Sequence, residues 1–283
     1  MVVDKEAGFT SHDVVARCRK QLGLRRVGHA GTLDPTATGV LLVGLGRVTR
    51  LLRFLTALPK SYSAEVVLGV ATSTLDAAGE VVGTWDMAGV GADAVRAAAA
   101  ALVGPIAQVP PMVSAVRVGG RRLHELARAG VEVERAPRPV VVHAFEVAPG
   151  DEAGVWRVHV ECSSGTYVRV LAADLGAALG GGAHLRRLRR LRVGSFGVDD
   201  ARPVGEVGPP DVLAPAEVLR DYPRVVVGED VARAVGHGAV LDRDALGVAG
   251  DGPWAVVGVS GALLAVYESR HDRQAKPAVV MSG

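Results

Sequence analysis

Apolar residues recur at helical spacing in several stretches of the chain. In SHDVVARCRKQL (11–22) they fall on one side of a helix, and Ser11 stands at its start. The stretch GADAVRAAAAALVG (91–104) has a glycine at each limit, which is typical of a bounded helix. The same reasoning predicts further helices around 47–58, at 121–130 and at 166–180.

Alternation of apolar and polar residues predicts strands between these helices. In KSYSAEVVLGV (60–70), Tyr62, Ala64, Val66 and Leu68 share one face, as in a half-buried strand. Because the elements lack a regular βαβ rhythm, the pattern favours an α+β fold over a doubly wound sheet. Further predictions are a hairpin turn that leads back into a strand at 74–82, and strands at 140–148 and 155–162.

Proline and glycine mark the irregular parts of the chain. Between 36 and 56, short apolar runs alternate with glycine and predict a turn followed by a helix. Five prolines make 105–139 irregular apart from its short helix. The segment 203–215 is the predicted junction, and the short apolar runs beyond it predict a compact β-rich unit.

Composition narrows the class of protein. With 283 residues, 49% of them apolar, the chain suits one large domain, or one domain with a small appendage. Two cysteines, Cys18 and Cys162, form no CxxC pair, which fits a reducing cytoplasm better than a disulfide framework. Neither a signal peptide nor a membrane-spanning segment is expected, since no apolar run is long enough.

The net positive charge of the chain is small, but its basic residues are concentrated in two segments. The net charge is only +2, but RCRKQLGLRR (17–26) and HLRRLRRLR (184–192) are strongly basic. The second segment is either a solvated element whose leucines face the core or a ridge that contacts phosphates. The eight histidines are scattered without metal-ligand spacing, and no glycine-rich stretch ends in Lys-Ser or Lys-Thr, so neither a metal site nor a P-loop is indicated.

The segment GHAGTLDPTATGV (28–40) holds one His and one Asp among small residues. Asp34 followed by Pro35 is typical of a helix start, because Asp accepts bonds from free N–H groups and Pro suits the first helical position. On local grounds this interpretation is favoured, and a chemical role for Asp34 depends on the rest of the chain.

Five ordered segments decide the question by resemblance. Together they closely resemble the TruB family of bacterial tRNA pseudouridine synthases, in order over residues 3–197. The segments are DKEAGFTSHDVV (4–15), GHAGTLDPTATGVL (28–41), KSYSAEVVLG (60–69), CSSGTYVRVLAADLG (162–176) and GAHLRRLRRLRVGSF (182–196).

The resemblance implies a pseudouridine synthase fold, with a central mixed, mostly antiparallel sheet flanked by helices and loops. It implies a catalytic domain at 1–218 with an RNA-clasping insertion at about 105–139, and a PUA-like RNA-binding domain at 219–283. The implied reaction converts a flipped uridine in the T-loop of tRNA, at position 55, into pseudouridine. We expect no cofactor, no metal and no membrane partner, the tRNA T-arm as substrate, a monomer, and a cytoplasmic location.

The same resemblance assigns catalytic roles to Asp34, Tyr62 and Arg169. The Asp34 carboxylate attacks C1′ or acts as a base in an elimination while N1–C1′ breaks and C5–C1′ forms. Arg169 pairs with that carboxylate and keeps it anionic. Tyr62 stacks on the uracil, and its hydroxyl moves a proton late in the reaction.

A second set of residues is implied to bind the substrate. His29 would enter the space left by the flipped base. Tyr167 and Leu188 would line the pocket, although Leu188 also suits a core. Lys5 would have a structural or phosphate role, and Arg117 and Arg190 would bind RNA.

The sequence also departs from the family pattern. Glu6 stands where many members have Pro, and Val113, Arg117 and His124 replace Tyr, Lys and Tyr in the insertion. These changes put particular RNA contacts there in doubt. Two alternatives remain open: an RNA-binding or RNA-folding module without essential catalysis, and an aspartate-nucleophile hydrolase of a small molecule.

Overall fold

A computed structural model describes residues 1–271 and 273–281 and contains a ten-stranded sheet, a five-stranded sheet and two small sheets of two strands each. The strands are β1 (Val2–Lys5), β2 (Val27–Ala30), β3 (Thr38–Leu45), β4 (Lys60–Leu68), β5 (Val70–Thr72), β6 (Val81–Thr84), β7 (Gly104–Gln108), β8 (Arg117–Val118), β9 (Arg121–Arg122), β10 (Arg138–Pro149), β11 (Val155–Cys162), β12 (Ala183–Val193), β13 (Phe196–Gly197), β14 (Arg202–Pro203), β15 (Arg224–Val227), β16 (Leu241–Asp242), β17 (Trp254–Gly258), β18 (Leu263–Arg270) and β19 (Gln274–Val280). The α-helices are α1 (Ser11–Leu22), α2 (Leu52–Ala57), α3 (Ala92–Ala100), α4 (Leu123–Arg128), α5 (Val168–Ala178), α6 (Glu229–Gly236) and α7 (Arg243–Leu246).

The large sheet has ten strands and forms the frame of the molecule. Its order is β14-β1-β3-β12-β4-β11-β10-β7, with β2 added to β3 and β13 added to β12. The pairs β1–β14 and β3–β12 are parallel, and the other pairs are antiparallel. The α+β class and the mixed, mostly antiparallel sheet are therefore confirmed.

Strand β4 is central and follows the predicted alternation. Tyr62, Ala64, Val66 and Leu68 are buried, and they belong to the same apolar cluster as residues of α3 and α5. Residues Ser63 and Glu65 alternate with them and are less buried. Alternation identifies this strand correctly because only one of its faces is covered by helices.

Strand β3 shows where the alternation rule fails. The segment TGVLLVGL was predicted as a turn, but it is a strand with six consecutive buried residues. Its two faces contribute to two different apolar clusters, Val40 and Leu42 to one, Leu41 and Val43 to the other. A strand buried on both faces is a continuous apolar run, which the pattern does not separate from other buried segments.

Other sequence predictions are corrected in detail. Helix α3 ends at Ala100, and the following segment is strand β7 rather than irregular chain, although it contains Pro105. Helix α1 is capped by Thr10 instead of Ser11, with the Thr10 hydroxyl and the Asp13 carboxylate bonded to each other's backbone N–H. Beyond the junction, EDVARAVG forms helix α6 where short strands were predicted.

The basic segment at 184–192 is strand β12, beside β4. Two irregularities in its pairing, between Leu185 and Arg187 and between Arg190 and Arg192, change which side chains face inward. Leu185 and Arg190 are consequently buried, while Arg187 and Arg192 are exposed. Neither a solvated element nor a phosphate-contacting ridge fully describes this segment, because Arg190 lies in the interior.

The C-terminal sheet packs firmly against the large one. It has the order β15-β17-β18-β19-β16, and a single apolar cluster joins Leu51, Phe54 and Leu55 to its Val257 and Val266. An ion pair of 2.9 Å between Arg53 and Glu268 crosses the same boundary. The β-rich character of this unit is confirmed, and the boundary after residue 218 stays a prediction.

Candidate active site

Asp34 lies in the loop between β2 and β3, and no helix begins there. The Asp34 carbonyl accepts a hydrogen bond from Ala37 N at 3.1 Å, which closes a turn. The loop is anchored from α1, where the Ser11 hydroxyl accepts from Leu33 N at 2.9 Å and donates to Leu33 O at 3.2 Å. The local expectation of a helix start is therefore wrong, because contacts from distant segments set this conformation.

Arg169 holds the Asp34 carboxylate from the first turn of α5. Its Nε lies 3.0 Å from Oδ2, and its Nη2 donates to Oδ1 at 3.4 Å. The Arg169 side chain is 4% exposed and that of Asp34 is 34% exposed, so the pair is buried on one side only. Burial raises the pKa of Asp34, while the Arg169 charge opposes the rise.

The remaining donors of Arg169 bind two other segments. Nη1 donates to Thr74 O at 2.9 Å in the β5–β6 turn, and Nη2 donates to Val113 O at 2.7 Å in the insertion. The planar guanidinium is thereby fixed by three segments far apart in sequence. This arrangement gives the Asp34 carboxylate a defined position as well as a counter-ion.

Two cavities meet at this ion pair. One, of about 150 Å³, is lined by Asp34, Asp76, Leu185 and Leu188, among others. The other, of about 120 Å³, is lined by Asp34, Tyr62, Tyr167, Arg169 and Leu188 with small neighbours. The structure thus brings together the three predicted catalytic residues and two of the predicted pocket residues. A half-buried carboxylate beside an aromatic, partly apolar cavity suits attack on a sugar carbon under a stacked base.

Comparison with known proteins agrees with this geometry. Residues 19–168 match the family described as TruB family pseudouridylate synthase (N terminal domain). Residues 169–205 match the tRNA pseudouridylate synthase B C-terminal domain. The chain belongs to the TruB family of pseudouridylate synthases. It is therefore an isomerase that converts uridine into pseudouridine.

Relatives of this pseudouridylate synthase cover nearly the whole chain. A tRNA pseudouridine synthase B of Rhodococcus jostii (strain RHA1) is 47% identical over 289 residues, 99% of this chain and 93% of the relative. One of Nocardia farcinica (strain IFM 10152) is 50% identical over 272 residues, 94% of this chain and 85% of the relative.

Solved structures support the fold. A chain in the crystal structure of a Cbf5–Nop10–Gar1 complex is 26% identical, with a TM-score of 0.75, and the match covers 100% of this chain and 83% of that chain. A chain in an H/ACA RNP bound to a substrate RNA containing 2′-deoxyuridine is 24% identical, with a TM-score of 0.73 and coverage of 99% and 84%. The expected pseudouridine synthase fold is thereby confirmed.

Asp76 is a second carboxylate of the synthase site that the sequence analysis missed. Its Oδ2 lies 3.6 Å from Arg169 Nη1, and its Oδ1 accepts from the Thr74 hydroxyl at 2.6 Å and from Ala78 N at 3.1 Å. Its charge adds to the rise in the pKa of Asp34. In sequence Asp76 is an ordinary turn residue, so no local signal distinguishes it.

Gln108 is a further residue that the sequence analysis missed. It is 2% exposed at the end of β7. Its Oε1 accepts from Tyr167 N at 2.9 Å, and its Nε2 donates to Tyr167 O at 3.3 Å. Because Tyr167 precedes α5, this reciprocal pair fixes the start of the helix that carries Arg169.

Lys5 is fully buried. Of the two roles predicted for it, structural support and contact with a phosphate, its burial favours structural support. Its Nζ donates to Glu6 O at 2.9 Å, to Phe9 O at 2.7 Å and to Pro35 O at 3.2 Å. Burial lowers the pKa of Lys5 to about 8, and the Asp34 charge opposes this. Lys5 therefore supports the Asp34 loop and presents no surface for a phosphate.

Arg190 is also buried, with an exposure of 1%, and it too lacks a surface for RNA. His29 is half-buried on β2, edge to face with His12 at 5.6 Å between ring centroids, and lines neither cavity. Burial lowers the pKa of His29. Arg117 is exposed on the β8–β9 hairpin of the insertion and lines neither cavity. The predicted contacts of Arg117 and Arg190 with RNA stay predictions, and the burial of Arg190 favours a structural role.

The described part of the chain offers no group of three or more His, Cys, Asp or Glu arranged to hold a metal ion. Cys18 and Cys162 are both free and buried. No helix within residues 1–271 and 273–281 is long and apolar enough to cross a membrane.

Proposed function

We propose that this enzyme isomerises the uridine at position 55 in the T-loop of tRNA, with Asp34 as the reacting carboxylate. The observation that carries the proposal is the half-buried Asp34–Arg169 pair, joined at 3.0 Å in the wall of a cavity that Tyr62 also lines. The enzyme's relatives in Rhodococcus jostii and Nocardia farcinica are each called tRNA pseudouridine synthase B, which supports tRNA as the substrate.

The base must leave its stack before its sugar carbon becomes accessible. The cavity beside Asp34 then holds the uracil against Tyr62, Tyr167 and Leu188. The Asp34 carboxylate attacks C1′, or removes a sugar proton in an elimination, as the N1–C1′ bond breaks and its electrons stay on the uracil. After the uracil turns, C5 bonds to C1′ while the Asp34–C1′ bond breaks, or, in the elimination, while the sugar regains its proton from Asp34.

The reaction is completed by proton movement. C5 loses its proton and N1 gains one, so uridine and pseudouridine have the same composition. The Tyr62 hydroxyl takes part in this transfer. Arg169 serves throughout as the counter-ion that opposes the raised pKa of Asp34 and keeps the carboxylate ionised.

The proposal also covers the oligomeric state of the enzyme and its location in the cell. Asp34, Tyr62 and Arg169 come from one chain, which supports a monomer as the active unit. The two free cysteines and a tRNA substrate support a cytoplasmic location.

Asp34→Asn tests the proposal with a T-arm hairpin labelled with tritium at C5 of the target uridine. We expect the variant to release no tritium while its affinity for the hairpin stays close to that of the wild type. Asp93→Asn, at a side chain 99% exposed on α3, is the matched control and should react normally. A hairpin with the target uridine replaced by cytidine measures background release. Normal turnover by Asp34→Asn would exclude its role. A wild type that binds the hairpin but releases nothing would exclude this substrate.

A further inference from the structure

Arg190 lies on β12 directly opposite Tyr62 of β4 and is almost wholly buried. Its Nε donates to Val40 O at 2.7 Å, its Nη2 to Gly31 O at 3.1 Å and its Nη1 to Thr32 O at 3.5 Å. All three acceptors are main-chain carbonyls. No ion pair among the residues that the structure describes includes Arg190.

The absence of a counter-ion in these contacts distinguishes Arg190 from its neighbour on the strand. Arg189 binds both carboxylate oxygens of Asp4, at 3.0 and 2.7 Å, and its side chain is 39% exposed. A buried charge without a partner of opposite sign is costly, and a well-packed apolar side chain is often more stable in its place. Packing alone therefore does not explain a guanidinium at position 190.

The contacts of Arg190 join two parts of the catalytic site. The bonds to Gly31 and Thr32 hold the main chain just before Asp34. Tyr62 is the register partner of Arg190 on the facing strand, and the guanidinium charge acts on its hydroxyl. Burial raises the pKa of Tyr62, and Arg190 opposes the rise.

The other charged groups around Tyr62 do not neutralise Arg190. Lys60, on the same strand, is buried and cationic, and its Nζ donates to the carbonyls of Thr56 and Leu58 at 2.6 Å each. The nearby anion is Asp34, which is already bound by Arg169. The surroundings of Tyr62 therefore carry an excess of positive charge.

We propose that Arg190 is a positioning residue that holds the Tyr62 hydroxyl against the Asp34 loop and stabilises negative charge on the Tyr62 oxygen during proton transfer. This inference rests on the proposed role of Tyr62. C5 gives its proton to the Tyr62 oxygen while the hydroxyl passes its own proton to N1, directly or through water. The phenol is neutral before and after the step, and its oxygen is partly negative only during it.

The test compares Arg190→Lys, which keeps the charge, with Arg190→Met, which removes it at similar length. Single-turnover rate constants and hairpin affinities are measured, and thermal unfolding gives the folded fraction. We expect Arg190→Met to lower the rate constant at least roughly 10-fold with little change in affinity, and Arg190→Lys to restore part of the loss. Arg157→Met, at an exposed arginine on β11, is the control.

A double-mutant cycle separates this role from simple support of the fold. If Arg190 acts through the Tyr62 hydroxyl, Arg190→Lys lowers the rate much less in a Tyr62→Phe background than in the wild type. Equal factors in both backgrounds, or a loss that follows affinity or folded fraction alone, would overturn the proposal. If the wild type leaves the T-arm uridine unchanged, the proposed substrate is wrong, and the same cycle is then measured on mixed tRNA transcripts.

Discussion

Gln108→Met tests whether a buried amide sets the position of the catalytic helix. The change removes both hydrogen bonds to the Tyr167 main chain, at 2.9 and 3.3 Å, and keeps the side-chain length. It leaves the Tyr167 N–H at the start of α5 without its partner, whereas Tyr167 O keeps the bonds that it accepts from Val170 N at 3.1 Å and Leu171 N at 3.2 Å. Each buried group left unpaired costs about 1–3 kcal/mol.

The size of the expected stability loss depends on the unequal exposure of Gln108 and Tyr167. Gln108 is buried, whereas Tyr167 is half-buried, so water partly satisfies the freed N–H. We therefore expect a loss of about 1–2 kcal/mol in the free energy of unfolding, from the lower part of the range for one such group. A chain of this size should lose roughly 2–6 °C in Tm.

Activity gives the second measurement. Arg169 lies in the first turn of α5, so a shift of the helix start moves it relative to Asp34. A displacement near 1 Å costs roughly 100-fold in rate, and we expect the single-turnover rate to fall by more than the hairpin affinity.

Gln21→Met is the matched control for Gln108→Met, because Gln21 is exposed and its amide bonds only to Gly205 O at 3.2 Å. Denaturant unfolding of both variants gives the comparison. Equal stability losses at positions 108 and 21, with an unchanged rate, would refute the argument that the amide positions α5.

Two further predictions concern charge and backbone. Burial raises the pKa of Asp34, and the proposed reaction needs its ionised form. We therefore expect kcat/KM to fall as the pH is lowered, with a midpoint at a higher pH than an ordinary aspartate would give. A pH profile that is flat through that range would contradict this. Gly39→Ala should destabilise the fold by about 3 kcal/mol or more, because φ is +102° and the added Cβ would meet the Arg190 main chain. Gly89→Ala, with no atom within 4 Å of the added Cβ, is the control in urea unfolding.

The sequence predicts those parts of the fold in which one element has one covered face. Strand β4 and helix α1 are examples, because each has a regular apolar stripe. Strand β3 was missed because both its faces are buried. A helix start was wrongly predicted at Asp34 because Ser11 and Lys5, which lie outside the loop, determine the loop conformation. Local propensity does not include such distant contacts.

The same limit applies to the site. Asp34, Tyr62 and Arg169 were identified by resemblance, and the structure places them in one cavity wall. Gln108 was missed because its partner, Tyr167, is 59 residues away. The resemblance gave Lys5 a structural or phosphate role and Arg190 a role in RNA binding, and only the three-dimensional arrangement reveals that both are buried.

The contacts of the Arg169 guanidinium link the position of the insertion to the Asp34 carboxylate. Its guanidinium is bonded to the Asp34 loop, to Thr74 in the β5–β6 turn and to Val113 in the insertion. The insertion also lines the cavity through Ser114 and Ala115. Any displacement of the insertion would therefore change the partners of the guanidinium that is paired with Asp34, so the pKa of the carboxylate depends on how the insertion lies over the cavity.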